Sequence, residues 1–128
     1  MAPTYTIKNL RTVTDSAPEF GLSDVQEARF ANDELEASDT GISFHALKPD
    51  RRQLFGHRHE RAEEVYVVLD GSGRMKLDDE IVEVGPLDAV RVSPPVVRAF
   101  EAGPEGLELL VFGPRCKGDG ELLPGWWS

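Results

Sequence analysis

The chain has 128 residues, 40% hydrophobic and 29% charged, the profile of one soluble globular domain (1–128) able to build a core without staples. A formal net charge of −9, with no basic cluster beyond Arg51-Arg52, argues against nucleic acid as a partner. The single cysteine, Cys116, excludes an internal disulfide and fits a reducing compartment; with no signal-peptide core in "MAPTYTIKNL" and no apolar run of spanning length, a cytoplasmic protein with no membrane partner is expected.

Twelve glycines and nine prolines cut the chain into pieces mostly too short for helices. Before residue 40 little is readable: "SAPEFGLSD" is a loop, "NDELEAS" has the composition of one helical turn, and neither carries obvious chemistry. Between the breaks the pieces are rich in Val, Ile, Leu and Phe, and strands are expected at 27–31, 41–47, 64–70, 73–78, 80–84, 88–93, 96–102 and 107–113. "DGSG" (70–73) and "DDE" (78–80) are expected to close two hairpins. Such spacing indicates an all-β sandwich or barrel. In "EVYVVLD", Glu64, Tyr66 and Val68 share one face while Val65, Val67 and Leu69 share the other. Apolar residues on both faces predict that this strand is covered twice, the second time by another subunit of a homodimer.

The chemistry concentrates in "FGHRHERAEEVYVVLDGSG" (55–73). On an extended segment His57 and His59 point to the same side, their Cα atoms about 6.6 Å apart. Two ring nitrogens can then meet on one cation at about 2.0–2.2 Å, and a carboxylate from a neighbouring strand can join them. Two histidines and a carboxylate with open positions suit non-haem iron, and also Mn, Ni, Cu or Zn. The plain alternative is a charged lead-in to a strand. Parity alone does not choose between Glu63 and Glu64.

The run His57-x-His59, four residues, Glu64, six residues, Gly71, with Gly56 just upstream, resembles the first motif of the cupin superfamily. The resemblance implies an RmlC-like jelly roll, a double-stranded β-helix, with its barrel core at about 41–113. An irregular N-terminal segment (1–40) and a C-terminal tail (114–128) would flank it. It also selects Glu64 as the third metal ligand beside His57 and His59. The second cupin motif matches "VGPLDAVRVSPPVVRAF" (84–100), except that Pro94-Pro95 replaces the proline–glycine turn and Arg98 stands where the resemblance implies a fourth, histidine, ligand.

Arginine keeps its proton and ligates no metal, and near a divalent cation it is repelled by about 4 kcal/mol per unit charge at 4 Å. Three arrangements follow: Arg98 held off the metal and binding an anionic substrate, Arg98 paired with Glu64 in a metal-free barrel, or Arg98 pointing outward. Tyr66, on the face of Glu64, is a second candidate for substrate contact. His45 can face the same interior as a proton carrier or second-shell partner, but the opposite face is the preferred reading. Phe55, Met75 and Phe100 are expected in the pocket wall or the core. Trp126 and Trp127 are expected to dock on the barrel or on a partner subunit.

The expected function is therefore that of a small cupin with a divalent transition metal, acting on a small organic molecule of possible anionic character. A dioxygenase, isomerase or decarboxylase type of reaction is compatible with the resemblance. The alternative is a non-catalytic small-ligand-binding barrel, metal-free if Arg98 neutralises Glu64.

Overall fold

The computed structural model describes residues 4–127. Eight strands make one curled antiparallel sheet: β1 (Gln26–Phe30), β2 (Thr40–Leu47), β3 (Phe55–His59), β4 (Glu64–Leu77), β5 (Glu80–Val84), β6 (Ala89–Val92), β7 (Arg98–Pro114) and β8 (Gly120–Pro124). Among the described residues the only helix is a short 3-10 turn, Leu10–Thr12, and no helix is long and apolar enough to cross a membrane.

The two longest strands, β4 and β7, pair along most of their length and belong to both layers of the roll. Their outer halves, Glu64–Gly71 and Leu107–Phe112, lie between β6 on one side and β2–β1 on the other. Their other halves, Gly73–Leu77 and Arg98–Ala102, lie between β5 and β3–β8. The register slips at Val68/Asp70 and Gly71/Gly73, and there both strands bend from one layer into the other. Leu47, Tyr66, Val68, Met75, Val92, Phe100, Leu107 and Leu109 fill the space between the layers.

This corrects the expected first hairpin. "DGSG" does not reverse the chain; it is the bend inside β4. Gly71 adopts φ +80°, and a Cβ there would stand 2.1 Å from Gly106 O, so the crossing needs glycine because two backbones touch, not because the chain turns. The same event fuses the segments expected at 96–102 and 107–113 into β7. The second hairpin forms as expected, with Leu77 opposite Glu80. "NDELEAS" folds as a turn, closed by Leu35 N donating to Ala31 O at 2.9 Å.

Two strands have no counterpart in the expected set. β3 holds both histidines of the motif, and β8 pairs with it from Phe55↔Pro124 to His59↔Gly120. The tail therefore completes a layer. Trp126 lies against Gly56, where any Cβ would meet its Cγ at 2.6 Å. Lys76 Nζ sits 4.5 Å from the Trp126 ring centre and Arg52 Cζ 5.1 Å from that of Trp127. On the second face of β4, Val65 and Val67 are half-buried and Leu69 is 40% exposed within this chain.

Candidate metal centre and its cavity

His57 and His59 project from β3 in one layer, Glu64 and Tyr66 from the start of β4 in the other. The link between them is only residues 60–63. Asp119, just before β8, braces it: its buried carboxylate accepts from Arg61 N at 3.0 Å and from Ala62 N at 2.9 Å. Its Oδ2 also stands 3.4 Å from His59 Nδ1.

Glu64 Oε1 is the point of convergence. It lies 3.4 Å from His57 Nε2 and 3.2 Å from His59 Nε2, and accepts from the Tyr66 hydroxyl at 2.7 Å. Tyr66 Oη is also 3.1 Å from His57 Nε2. Glu63, by contrast, is exposed and pairs with Arg91 at 3.2 Å. Burial opposes the charge of Glu64, but hydrogen bonds with His57, His59 and Tyr66 outweigh it and hold the carboxyl well below the ordinary range. Burial and the Glu64 charge together push the Tyr66 phenol well above its usual value, so it stays protonated.

The three candidate ligands offer atoms all within 4.8 Å of one another. Donors bound to one cation at about 2.0–2.2 Å sit about 3 to 3.5 Å apart, close to the spacings around Glu64. Both ring nitrogens of His59 are buried and neither makes a well-aligned hydrogen bond, their nearest partners being the carboxylate oxygens of Glu64 at 3.2 Å and Asp119 at 3.4 Å, as expected of a ligand whose Nε2 is to be satisfied by a metal. The donor set and its geometry fit a divalent transition metal.

Above these residues opens a cavity of about 280 Å³, walled by Phe20, Leu22, Phe30, Phe55, Leu109 and Val111 with His45, Ser43 and Gln26 as its polar side. A wider depression of about 540 Å³ lies elsewhere, lined by Asp50, Arg74, Glu83 and Glu101, and holds none of the three ligands. Phe20 and Leu22 come from the loop "SAPEFGLSD", which carried no obvious chemistry, while Phe30 belongs to the strand expected at 27–31 and Gln26 immediately precedes it.

His45 faces inward, correcting the preferred reading. Its neighbour Phe44 takes the outward side, beneath the Arg11 guanidinium 5.3 Å away. Burial first, and the nearby His57 second, lower the His45 imidazole to about 4 against a weaker pull from Glu64. Of the other expected wall residues, Phe55 lines the cavity. Met75 and Phe100 take the core alternative, 0% and 1% exposed, with Phe100 tilted against Tyr66 at 5.2 Å.

Arg98 takes none of the three arrangements in full. It is 0% exposed, so it does not point outward, and its guanidinium donates to Ser93 O and Pro94 O at 3.3 Å and to His57 O at 3.5 Å. The Arg98–Glu64 pair does not form, because carbonyls of the 93–94 turn capture the donors while Glu64 is held by the histidines and Tyr66. The cavity wall does not include Arg98.

The chain matches no protein-family profile. It is 32% identical over 81 residues to the uncharacterised protein MJ1618 of Methanocaldococcus jannaschii, a match covering 61% of this chain and 65% of that relative. A crystal structure of a cupin protein, BF4112 from Bacteroides fragilis, superposes with a TM-score of 0.71 over 91% of this chain and 89% of its own, at 20% identity. The chain has a cupin fold. A second structure, that of the polyketide cyclase RemF of Streptomyces resistomycificus, superposes with a TM-score of 0.76 over 100% of this chain and 88% of RemF, at 20% identity. At such identities the likeness concerns the fold, so the chemistry of this chain rests on its own residues.

Proposed function

We propose that this cupin is a metal-dependent enzyme, with His57, His59 and Glu64 holding a divalent transition metal at the floor of a small-molecule cavity. The observation that carries the reading is the convergence of those three side chains, from two layers, beneath a mainly apolar wall. A bound cation would supply Lewis acidity toward an oxygen of the ligand. Tyr66, kept protonated by its surroundings, is placed to donate a proton or hydrogen bond beside that oxygen. The apolar wall excludes water and favours a ring-like organic substrate. A substrate of that kind is in keeping with a neighbour that is a polyketide cyclase, whereas an anion finds no lysine or arginine in the wall. A second copy of the chain over Val65, Val67 and Leu69 belongs to the same proposal, testable by light scattering.

The test is elemental analysis by mass spectrometry of protein purified without chelator or metal-affinity tag, beside a His57→Ala/His59→Ala variant. Near-stoichiometric Fe, Mn, Ni, Cu or Zn, lost in the variant, is expected. No metal in the native protein and none taken up on titration would overturn the reading.

A further inference from the structure

A chain of hydrogen bonds runs along the polar side of the cavity, and its direction is fixed at one end by the backbone. Phe100 N can only donate, and it donates to Gln53 Oε1 at 3.0 Å. Gln53 must therefore turn its amide nitrogen the other way, where Nε2 donates to Gln26 Oε1 at 3.2 Å. Gln26 in turn presents Nε2, which donates to Glu27 O at 3.2 Å and meets His45 Nδ1 at 3.1 Å. His45 Nδ1 is thus an acceptor, and a neutral ring then carries its hydrogen on Nε2. That hydrogen points at Ser43 Oγ, 2.9 Å away. Ser43 Oγ is consequently an acceptor in this pair, and its own hydroxyl hydrogen is left unspent. Ser43 is 7% exposed and lines the cavity together with Glu64.

The remaining chemistry of the wall narrows what that hydrogen can meet. No lysine or arginine lines the cavity, and Glu121 at its rim is engaged by Arg58 at 2.9 Å. An anion would find no counter-charge away from the metal ligands, and a cation would find aliphatic and aromatic carbon. We infer that Ser43 is the second anchoring point of this site, donating its hydroxyl hydrogen to an acceptor oxygen of an uncharged, mainly apolar ring compound. The inference rests on this cavity being the ligand site, as in the proposed function, but not on the presence of the metal. His45, Gln26 and Gln53 act on the ligand only through Ser43 and are positioning residues.

Two measurements test it. Long-range proton–nitrogen correlation spectra of the native protein should show His45 as the Nε2–H tautomer; an Nδ1–H tautomer would make Ser43 the donor to the ring and overturn the inference. Calorimetry on metal-free protein should then compare α-tetralone, a fused-ring ketone, with tetralin, which lacks the oxygen, and with naphthoate, an anion of similar size. The native protein is expected to bind α-tetralone most tightly. Ser43→Ala should weaken α-tetralone about five- to tenfold and tetralin by less than about twofold. No binding of α-tetralone at its solubility limit, equal losses for both neutral probes, or a preference for naphthoate would each refute the assignment. Metal content measured on both proteins separates the two readings: ketone discrimination without metal uptake would remove the metal centre and leave Ser43 in its role.

Discussion

His45 makes the fold sensitive to acid. Its ring is held between Gln26 of β1 and Ser43 of β2, edge-on to Phe30 at 5.5 Å and under the influence of His57 of β3 and Glu64 of β4, and is lowered from 6.5 to about 4. Between those values the unfolded chain binds a proton that the folded chain refuses, so stability is complete above about pH 6.5 and falls as the pH drops toward 4. At pH 5 the loss is about 2 kcal/mol, and below pH 4 it reaches about 3 kcal/mol. With an unfolding entropy of about 2.1 cal/mol/K per residue, 2 kcal/mol corresponds to about 7 °C in melting temperature for a chain of this length. His45→Gln is the informative variant, because an amide can still accept from Gln26 and donate to Ser43 but cannot be protonated. Urea unfolding from about pH 8 to pH 5 should show the native protein losing about 2 kcal/mol more than the variant. Parallel pH profiles for the two proteins would refute the reasoning.

Three further outcomes follow from the geometry. Asp119→Ala removes the carboxylate that braces residues 60–62 and faces His59 Nδ1, and should weaken metal binding by about tenfold or more in a competitive chelator titration. Gly71→Ala, which drives a Cβ into Gly106 O at a φ of +80°, should destabilise far more than Gly21→Ala, whose φ of +71° opens on empty space. The latter should cost only about 1–2 kcal/mol of backbone strain in denaturant unfolding. Deleting residues 122–128 strips most of β8 from β3 and uncovers Gly56; a marked fall in melting temperature is expected, and unchanged melting would mean that the tail adds nothing to the fold.

The strand content was legible because alternation and β-branched residues report a pleated, half-buried surface at short range. "DGSG" misled for the same reason. A glycine pair signals positive φ or close backbone approach, and the sequence does not say which. The difference lay in Gly106, 35 positions away in sequence and in contact with Gly71 in space. β8 was missed because its apolar residues are few and its partner, β3, is 61 positions away at the His59–Gly120 pair.

The site divides along the same line. His57 and His59 were legible as a pair because their spacing of two on an extended segment is local geometry, and the cupin-like motif added Glu64. Ser43, Gln26, Gln53 and Asp119 carried no such signal, being ordinary polar residues until the fold brings them to one cavity. The fate of Arg98 was likewise undecided by its charge: three competing arrangements were open, and the carbonyls of Ser93, Pro94 and His57 drew it into a fourth. The sequence by itself determined the all-β class and the two-histidine half of the centre, because both depend on periodicity along a strand. Only the tertiary structure decided which polar groups share the cavity and which way their hydrogens point, because buried donors and acceptors take whatever partner the packed layers leave within reach.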